Sequence, residues 1–360
     1  MDALTVLFFV GGLVLLIGGA EWLVRGASAL AASLGISPLV IGLTVVSLGT
    51  SAPELAVSVT AALAGESDLA LGNVVGSNIA NILLVLGLSA AIAPLVVSRQ
   101  VKRREVPLMV GISVLVVAMG SDGAIGRGDG VVLATGLVVY VVQAIRQSRA
   151  EERALRVAAT ETTPLPVGGR VMALEVLRAG VGLGALMTGT QGVVGGATAM
   201  ATALGVSELL IGLTVVAIGT SLPEAATSII ATLRGQRDLA VGNAVGSNIF
   251  NLLGILGVTA MVLPIPVPSS VLWLDLPMMV AVAAACLPVF FTGGRIARWE
   301  GLLFVAYYLA YVLYLVLAAT DHAALPTYRT MMLVFVAPLT GVTLALLAAR
   351  YQVYRLQRRD

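Results

Sequence analysis

The chain has 360 residues, of which 58% are hydrophobic and only 11% charged, with a formal net charge of +2. Soluble domains carry about 25% charged residues, so the composition excludes a globule solvated by water and makes lipid the solvent. The absence of a basic stripe with interleaved aromatics excludes nucleic acid as a partner, and the single Cys286 excludes a disulfide framework or a cysteine metal cluster.

A bilayer-spanning helix needs about 20 apolar residues. In chain order such stretches fall at 4–22, 37–64, 69–96, 106–120, 130–146, 171–204, 207–233, 239–264, 272–292, 299–319 and 328–349, which predicts an all-α polytopic membrane protein of eleven helices. The acidic start, Met1-Asp2, marks the first stretch as a retained helix and not a signal peptide. Residues 147–169 form the one long polar stretch and read as a linker that divides the chain nearly in half. Lys and Arg gather on the cytoplasmic side of membrane proteins. With the N-terminus outside, eleven crossings place Arg99, Lys102, Arg103, Arg104, Arg146, Arg149, Arg153, Arg156, Arg170, Arg178, Arg234, Arg237, Arg295, Arg298 and the four arginines from Arg350 to Arg359 inside. Only Arg127 and Arg329 fall outside, and Arg25 stays undecided at the end of the first helix. The expected location is therefore the inner (plasma) membrane, with the C-terminus and the 147–169 stretch in the cytoplasm.

The strongest signal is an internal repeat. SPLVIGLTVVSLGTSAPELAVSVTAALAGESDLALGNVVGSNIANILLVLG, starting at Ser37, recurs without a gap from Ser207 as SELLIGLTVVAIGTSLPEAATSIIATLRGQRDLAVGNAVGSNIFNLLGILG. The offset of 170 residues spans five predicted helices, so the two copies cross the membrane in opposite directions. Inverted repeats of this kind characterise many secondary transporters, whose substrate sites lie at the repeat interface near the midplane. The expected organisation is a first repeat over 1–146 with its motif at 37–90, the linker, a second repeat over 170–320 with its motif at 207–260, and an extra helix with a basic tail over 321–360.

Within the first motif Thr50, Ser51 and Glu54 share a helix face, and Pro53 cannot donate to the carbonyl of Gly49, so it should break the helix and free carbonyls around Ser47 to Thr50. The copy repeats these parts as Thr220, Ser221, Pro223 and Glu224, with carbonyls near Ala217. The next helix adds Ser77 and Asn81, and its copy Ser247 and Asn251, while Gly72, Gly76, Gly242 and Gly246 should let backbones approach closely. A carboxylate at the bilayer centre costs on the order of 3 kcal/mol, and no basic residue lies at matching depth beside Glu54 or Glu224. A bound cation would supply the counter-charge. The set is all oxygen, which suits a hard ion such as Ca²⁺, and the lack of His or Cys argues against a transition metal. Glu21 and Arg25, four apart, are expected to pair with each other, Asp275 to face the outer interface, and His322 to lie in an outside loop.

GTSAPE with GSNIAN, and GTSLPE with GSNIFN, resemble the two α-repeats of the Ca²⁺/cation antiporter superfamily, most closely its bacterial sodium/calcium exchanger-like members. The resemblance covers about residues 1–320. It implies two inverted five-helix halves, a core of the second, third, seventh and eighth helices, and long first and sixth helices that slide past it. It also implies that Glu54 and Glu224 bind Ca²⁺ and the competing ion, with oxygens from Thr50, Thr220, Ser51, Ser221, Ser77 and Ser247, and backbone carbonyls near Ser47 and Ala217. Some members carry Asp at one of the positions of Asn81 and Asn251; both are Asn here. The function implied is exchange of Ca²⁺ for Na⁺ by alternating access, with no cofactor. H⁺ coupling through the same glutamates is the nearest alternative, since a carboxylate out of water can take up a proton. A cation channel fits less well, because pore-lining rings usually come from symmetric subunits. An enzyme would need a nucleophile with a base, or a His/Cys metal site, and the core offers neither.

Overall fold

The computed structural model describes residues 3–158, 169–291, 293–341 and 345, which are helical almost throughout. Helix α1 is Ala3–Leu34. Helix α2 is broken into α2a (Pro38–Thr50) and α2b (Ala52–Leu63), bent by 43°. Helices α3 (Ser67–Ile92), α4 (Val101–Asp122) and α5 (Arg127–Ala158) complete the first half. In the second half α6 is Gly169–Ala203, and α7 is broken into α7a (208–220) and α7b (Leu222–Leu233) with a bend of 56°. Then follow α8 (Arg237–Val262), α9 (Val271–Phe291) and α10 (Arg298–Ala319). Counting each bent pair as one span, ten helices among the described residues are long and apolar enough to cross a membrane.

The breaks have local causes and recur at the repeat offset. Pro53 and Pro223 sit just after Ser51 and Ser221, the residues that leave helical geometry. Upstream of each break the backbone widens into a π-helical turn, at Gly42–Val46 and Gly212–Val216. Further π turns begin at Asn81 and Asn251 within α3 and α8. Such turns cluster at functional positions because they turn side chains and carbonyls away from the regular ladder. Gly65 and Gly235, at φ +81° and +75°, end α2b and α7b in the left-handed conformation that glycine adopts without a Cβ penalty.

The two halves interlock. Helices α3 and α8 are the most buried spans and share one apolar core with α4, α5, α9 and α10. Helices α1 and α6 lie together on the flank, and a second apolar cluster joins Leu23, Ala27, Ile36, Ile41, Ala231 and Leu239. Two short antiparallel bridges cross between the halves: β1 (Leu95–Val96) pairs with β4 (Arg295–Ile296), and β2 (Ala124–Ile125) with β3 (Ile265–Pro266). The connection after α3 therefore lies on the same face as the one after α9, and the connection after α4 on the same face as the one after α8.

Several sequence expectations change. Helix α5 runs through the stretch read as a linker as far as Ala158, because Ala150, Glu151, Glu152, Arg153, Ala154 and Leu155 are strong helix formers once the chain leaves the bilayer. Residues 159–168 lie outside the described residues. Ser148 is buried and accepts a hydrogen bond from the Ser37 N–H at 2.8 Å, tying that extension to the start of α2. The eleventh predicted helix is α11, Leu325–Met331 continuing through Met332–Val336 to 341; the rest of 328–349 and the basic tail lie outside the described residues. It is tied to α10 by Tyr328, whose hydroxyl donates to the Ala310 carbonyl at 2.8 Å, and by a Tyr307–Thr340 hydroxyl pair. Asp275 is half-buried and accepts a hydrogen bond from Tyr311 at 3.2 Å.

Candidate functional site

The two broken helices bring the repeated carboxylates into one buried region. Glu54 and Glu224 are each 1% exposed. One bond between the halves runs from Ser51 Oγ directly to a carboxylate, Glu224 Oε1, at 3.0 Å. Thr50 Oγ1 lies 3.3 Å from Asn243 Oδ1 on α8, and Ser47 Oγ donates to the carbonyls of Gly42 and Asn243. Helices α2a and α8 touch through backbone: a Cβ on Gly242 would lie 2.6 Å from the Leu39 carbonyl oxygen, and one on Gly42 2.8 Å from that of Leu239.

On the broken helices and on α3 and α8, Glu54 Oε2, Glu224 Oε2, Ser77 Oγ, Ser247 Oγ, Ser221 Oγ, Asn81 Oδ1 and Asn251 Oδ1 are among the buried oxygens without a hydrogen-bond partner. Leaving a buried oxygen unsatisfied costs about 1–3 kcal/mol, more for a charged group. Every one of these atoms can ligate a hard cation, and two carboxylates balance one divalent charge. No group of three or more His, Cys, Asp or Glu side chains capable of holding a metal occurs among the described residues, so the carboxylates rely on neutral oxygens for company. Thr220 is half-buried beside the second break, and Ala217 opens the last turn before it, as Ser47 does in the first copy. The Ser47 carbonyl is less free than the proline alone suggests: the Ser51 N–H reaches it at 2.9 Å and Thr50 Oγ1 at 3.4 Å.

The sequence reading passed over four residues that hold this region in shape. Asn243 Nδ2 donates to the Glu224 carbonyl at 3.3 Å and to Ser228 Oγ at 3.0 Å. Asn73 Nδ2 donates to the Glu54 carbonyl at 3.2 Å and to Ser58 Oγ at 2.9 Å. Each amide thus pins the backbone of a glutamate, one helix away, just after the break. The signal was present, since both residues of each pair are identical in the two copies. Asn243→Ala is expected to cost about 2 kcal/mol, because it removes two buried hydrogen bonds, to the Glu224 carbonyl and to Ser228 Oγ, and leaves Ser228 only its bond to the Ala240 carbonyl. Thermal unfolding in detergent would read this, and an unchanged midpoint would contradict the clamp.

The halves are alike in sequence but not in packing. Gly72 and Gly76, the equivalents of Gly242 and Gly246, have nothing within 4 Å of a built Cβ, so α3 and α7a do not meet as α8 and α2a do. Val46 is fully buried and its copy Val216 is 42% exposed; Ile36 is 6% exposed and Val206 37%. The site is sealed on the face that holds the connections after α1, α3 and α7, and loosely packed on the opposite face. On the sealed face Glu21 pairs with Arg25, as expected, and also with Arg234 at the end of α7b. This contact puts Arg25 on the same face as Arg234, which the sequence left undecided.

Comparison with known proteins fits this geometry. A family model described as sodium/calcium exchanger protein matches residues 4–146 and 175–317, one segment in each half. The chain belongs to this family. It is therefore a multi-pass membrane transporter of the cation antiporter class and not an enzyme. CaxA of Alkalimonas amylolytica is 39% identical over 311 residues, 85% of this chain and 96% of that one. The inner membrane protein YrbG of Escherichia coli is 44% identical over 232 residues, 64% of this chain and 71% of that one. A solved structure of the sodium-calcium exchanger NCX_Mj, soaked with Na⁺ and Sr²⁺, superposes with a TM-score of 0.76 at 31% identity, covering 87% of this chain and 99% of the other.

Proposed function

We propose that this exchanger moves Ca²⁺ out of the cytoplasm in return for Na⁺ entry, with both ions competing for one site centred on Glu54 and Glu224. The observation that carries this reading is this set of buried oxygens without hydrogen-bond partners on the broken helices and on α3 and α8, three from the first half and four from the second, with two carboxylates and no basic side chain among them. In this reading Ser77, Ser247, Asn81, Asn251, Thr50, Thr220, Ser51 and Ser221 supply neutral oxygens, and the backbone near Ser47 and Ala217 completes the shell. The relatives support it as well, since NCX_Mj is described as a sodium-calcium exchanger.

Coupling follows from electrostatics. Closing the site without an ion would bury two uncompensated carboxylates, whereas either cation relieves that penalty. Reorientation is then permitted only when the site is loaded, which gives exchange with little leak. The arginine-rich face is the cytoplasmic one by the positive-inside rule, so the N-terminus is outside, the inner side is sealed, and the loosened α3–α7a side opens outward. YrbG, an inner membrane protein, supports the same location.

The deciding experiment is uptake of radiolabelled Ca²⁺ into proteoliposomes driven separately by an outward Na⁺ gradient and by a pH gradient. Uptake with the Na⁺ gradient alone is expected. Uptake with the pH gradient alone would replace Na⁺ by H⁺ as the counter-ion, and single-channel currents would overturn exchange altogether.

A further inference from the structure

A second polar site lies on the arginine-rich face, away from the glutamates. A cavity of about 430 Å³ is lined by Arg99, Arg103 and Arg104 from the start of α4, by Ser37 and Ser98, and by Asp238 in the first turn of α8. Arg99, Arg103 and Arg104 have no ion-pair partner among the described residues, and Arg104 donates to the neutral amide of Gln147. Asp238 lines the cavity without coming within ion-pairing distance of any of them. The starts of α2a, α4 and α8 converge there, and helix N-termini add positive potential. The two serines are already spent as caps: Ser37 Oγ accepts from the Val40 N–H and Ser98 Oγ from the Val101 N–H.

The fold does not require this charge. At the repeat offset Arg99, Arg103 and Arg104 correspond to Ser269, Trp273 and Leu274, which carry none, although α9 begins with the same π turn as α4. Guanidinium groups bind phosphate oxygens in a bidentate fork and are weakly hydrated, so three of them around one cleft suit a phosphate better than they suit water. We infer that this cleft binds a phosphate group at the membrane surface, either the phosphodiester of an anionic phospholipid headgroup or free phosphate. Arg99, Arg103 and Arg104 grip it, and Asp238 limits its affinity.

The test uses the full-length protein, purified and delipidated in detergent, then mixed with phosphatidylglycerol, with phosphatidylcholine, or with inorganic phosphate, and bound species counted by native mass spectrometry. Each basic residue near a membrane surface contributes about a factor of five toward anionic lipid, so the triple variant R99Q/R103Q/R104Q should retain phosphatidylglycerol roughly a hundredfold less well than wild type. R170Q/R295Q/R298Q removes the same charge from the same face outside the cleft and should lose clearly less than the cleft variant, because its arginines do not converge on one phosphate. Should the triple variant not fold, Arg103→Gln alone should lose about fivefold, and Asp238→Asn should gain. Binding of inorganic phosphate to wild type but not to the cleft variant, with equal phosphatidylglycerol retention in both, would identify the free ion as the ligand. Equal binding of both probes by wild type and the cleft variant, or an equal loss in the control triple, would overturn the site.

Discussion

Replacing Glu54 or Glu224 by Gln is expected to lower Na⁺-driven Ca²⁺ uptake by at least about a hundredfold, because losing one member of a buried charge set costs roughly 3 kcal/mol or more. The two substitutions differ in what they leave behind. Glu224 is held by Ser51 at 3.0 Å, so Gln there can keep a hydrogen bond and a folded site while removing the charge. Glu54 Oε2 has no such partner, and its substitution alters charge without touching a bond to that atom. Glu105 and Glu300 provide the controls, since they are 4% and 5% exposed but already engaged: Gln100 donates to Glu105 at 2.9 Å, and Glu300 accepts from the Ala297 N–H at 2.7 Å. Glu105→Gln and Glu300→Gln should keep exchange when uptake is normalised to inserted protein. If they abolish it as fully as the site variants do, burial and not ion binding explains the loss.

Gly182→Val is expected to destabilise the protein by roughly 3 kcal/mol, at the upper end of the range for overpacking. Helices α1 and α6 meet backbone to backbone along two series of glycines seven residues apart, Gly12 with Gly19 and Gly182 with Gly189. A Cβ on Gly182 would lie 2.5 Å from the Leu23 nitrogen and 2.8 Å from the Gly19 carbonyl oxygen, and neither atom can turn aside as a flexible side chain would. The helices would have to separate along the seam. Gly184, two positions on, has nothing within 4 Å, so Gly184→Val should unfold in detergent at the wild-type temperature. Equal midpoints for the two variants would mean that the seam contributes little. Because α1 and α6 touch each other through main chain, while α1 meets the broken helices through side chains such as Leu23 and Ala27, which cluster with Ala231 of α7b, the seam joins them as a pair.

Much of the fold could be read from the chain because lipid enforces simple rules. Spans must be apolar and about 20 residues long, which located the helices, although the ends of α1 and α5 were placed too short. Charged helix formers such as Glu151 and Arg153 continue a helix into water, where hydropathy falls but helix propensity does not. The glycine seam escaped notice because glycine is common in membrane helices, and its spacing acquires meaning only beside a partner helix. Asn73 and Asn243 were overlooked for a similar reason, as an amide reveals its role only when the carbonyl it serves is known.

The sequence by itself determined the inverted architecture, the two breaks at Pro53 and Pro223, and the presence of two carboxylates in lipid without a basic partner. Those are properties of local chemistry and of an exact offset, and they hold in any conformation. Tertiary structure alone decided that the halves are packed unequally, with α2a closed on α8 and α7a standing off α3. It also decided that Glu21 bridges Arg25 and Arg234 on the sealed face, a contact with no counterpart at Gln191, Gly195 and Ala64 in the other half. Two similar inverted repeats can encode a pair of arrangements related by a pseudo-two-fold rotation and close in energy. Which of the two is occupied depends on small differences in long-range contacts, and those exist only once the helices have been brought together.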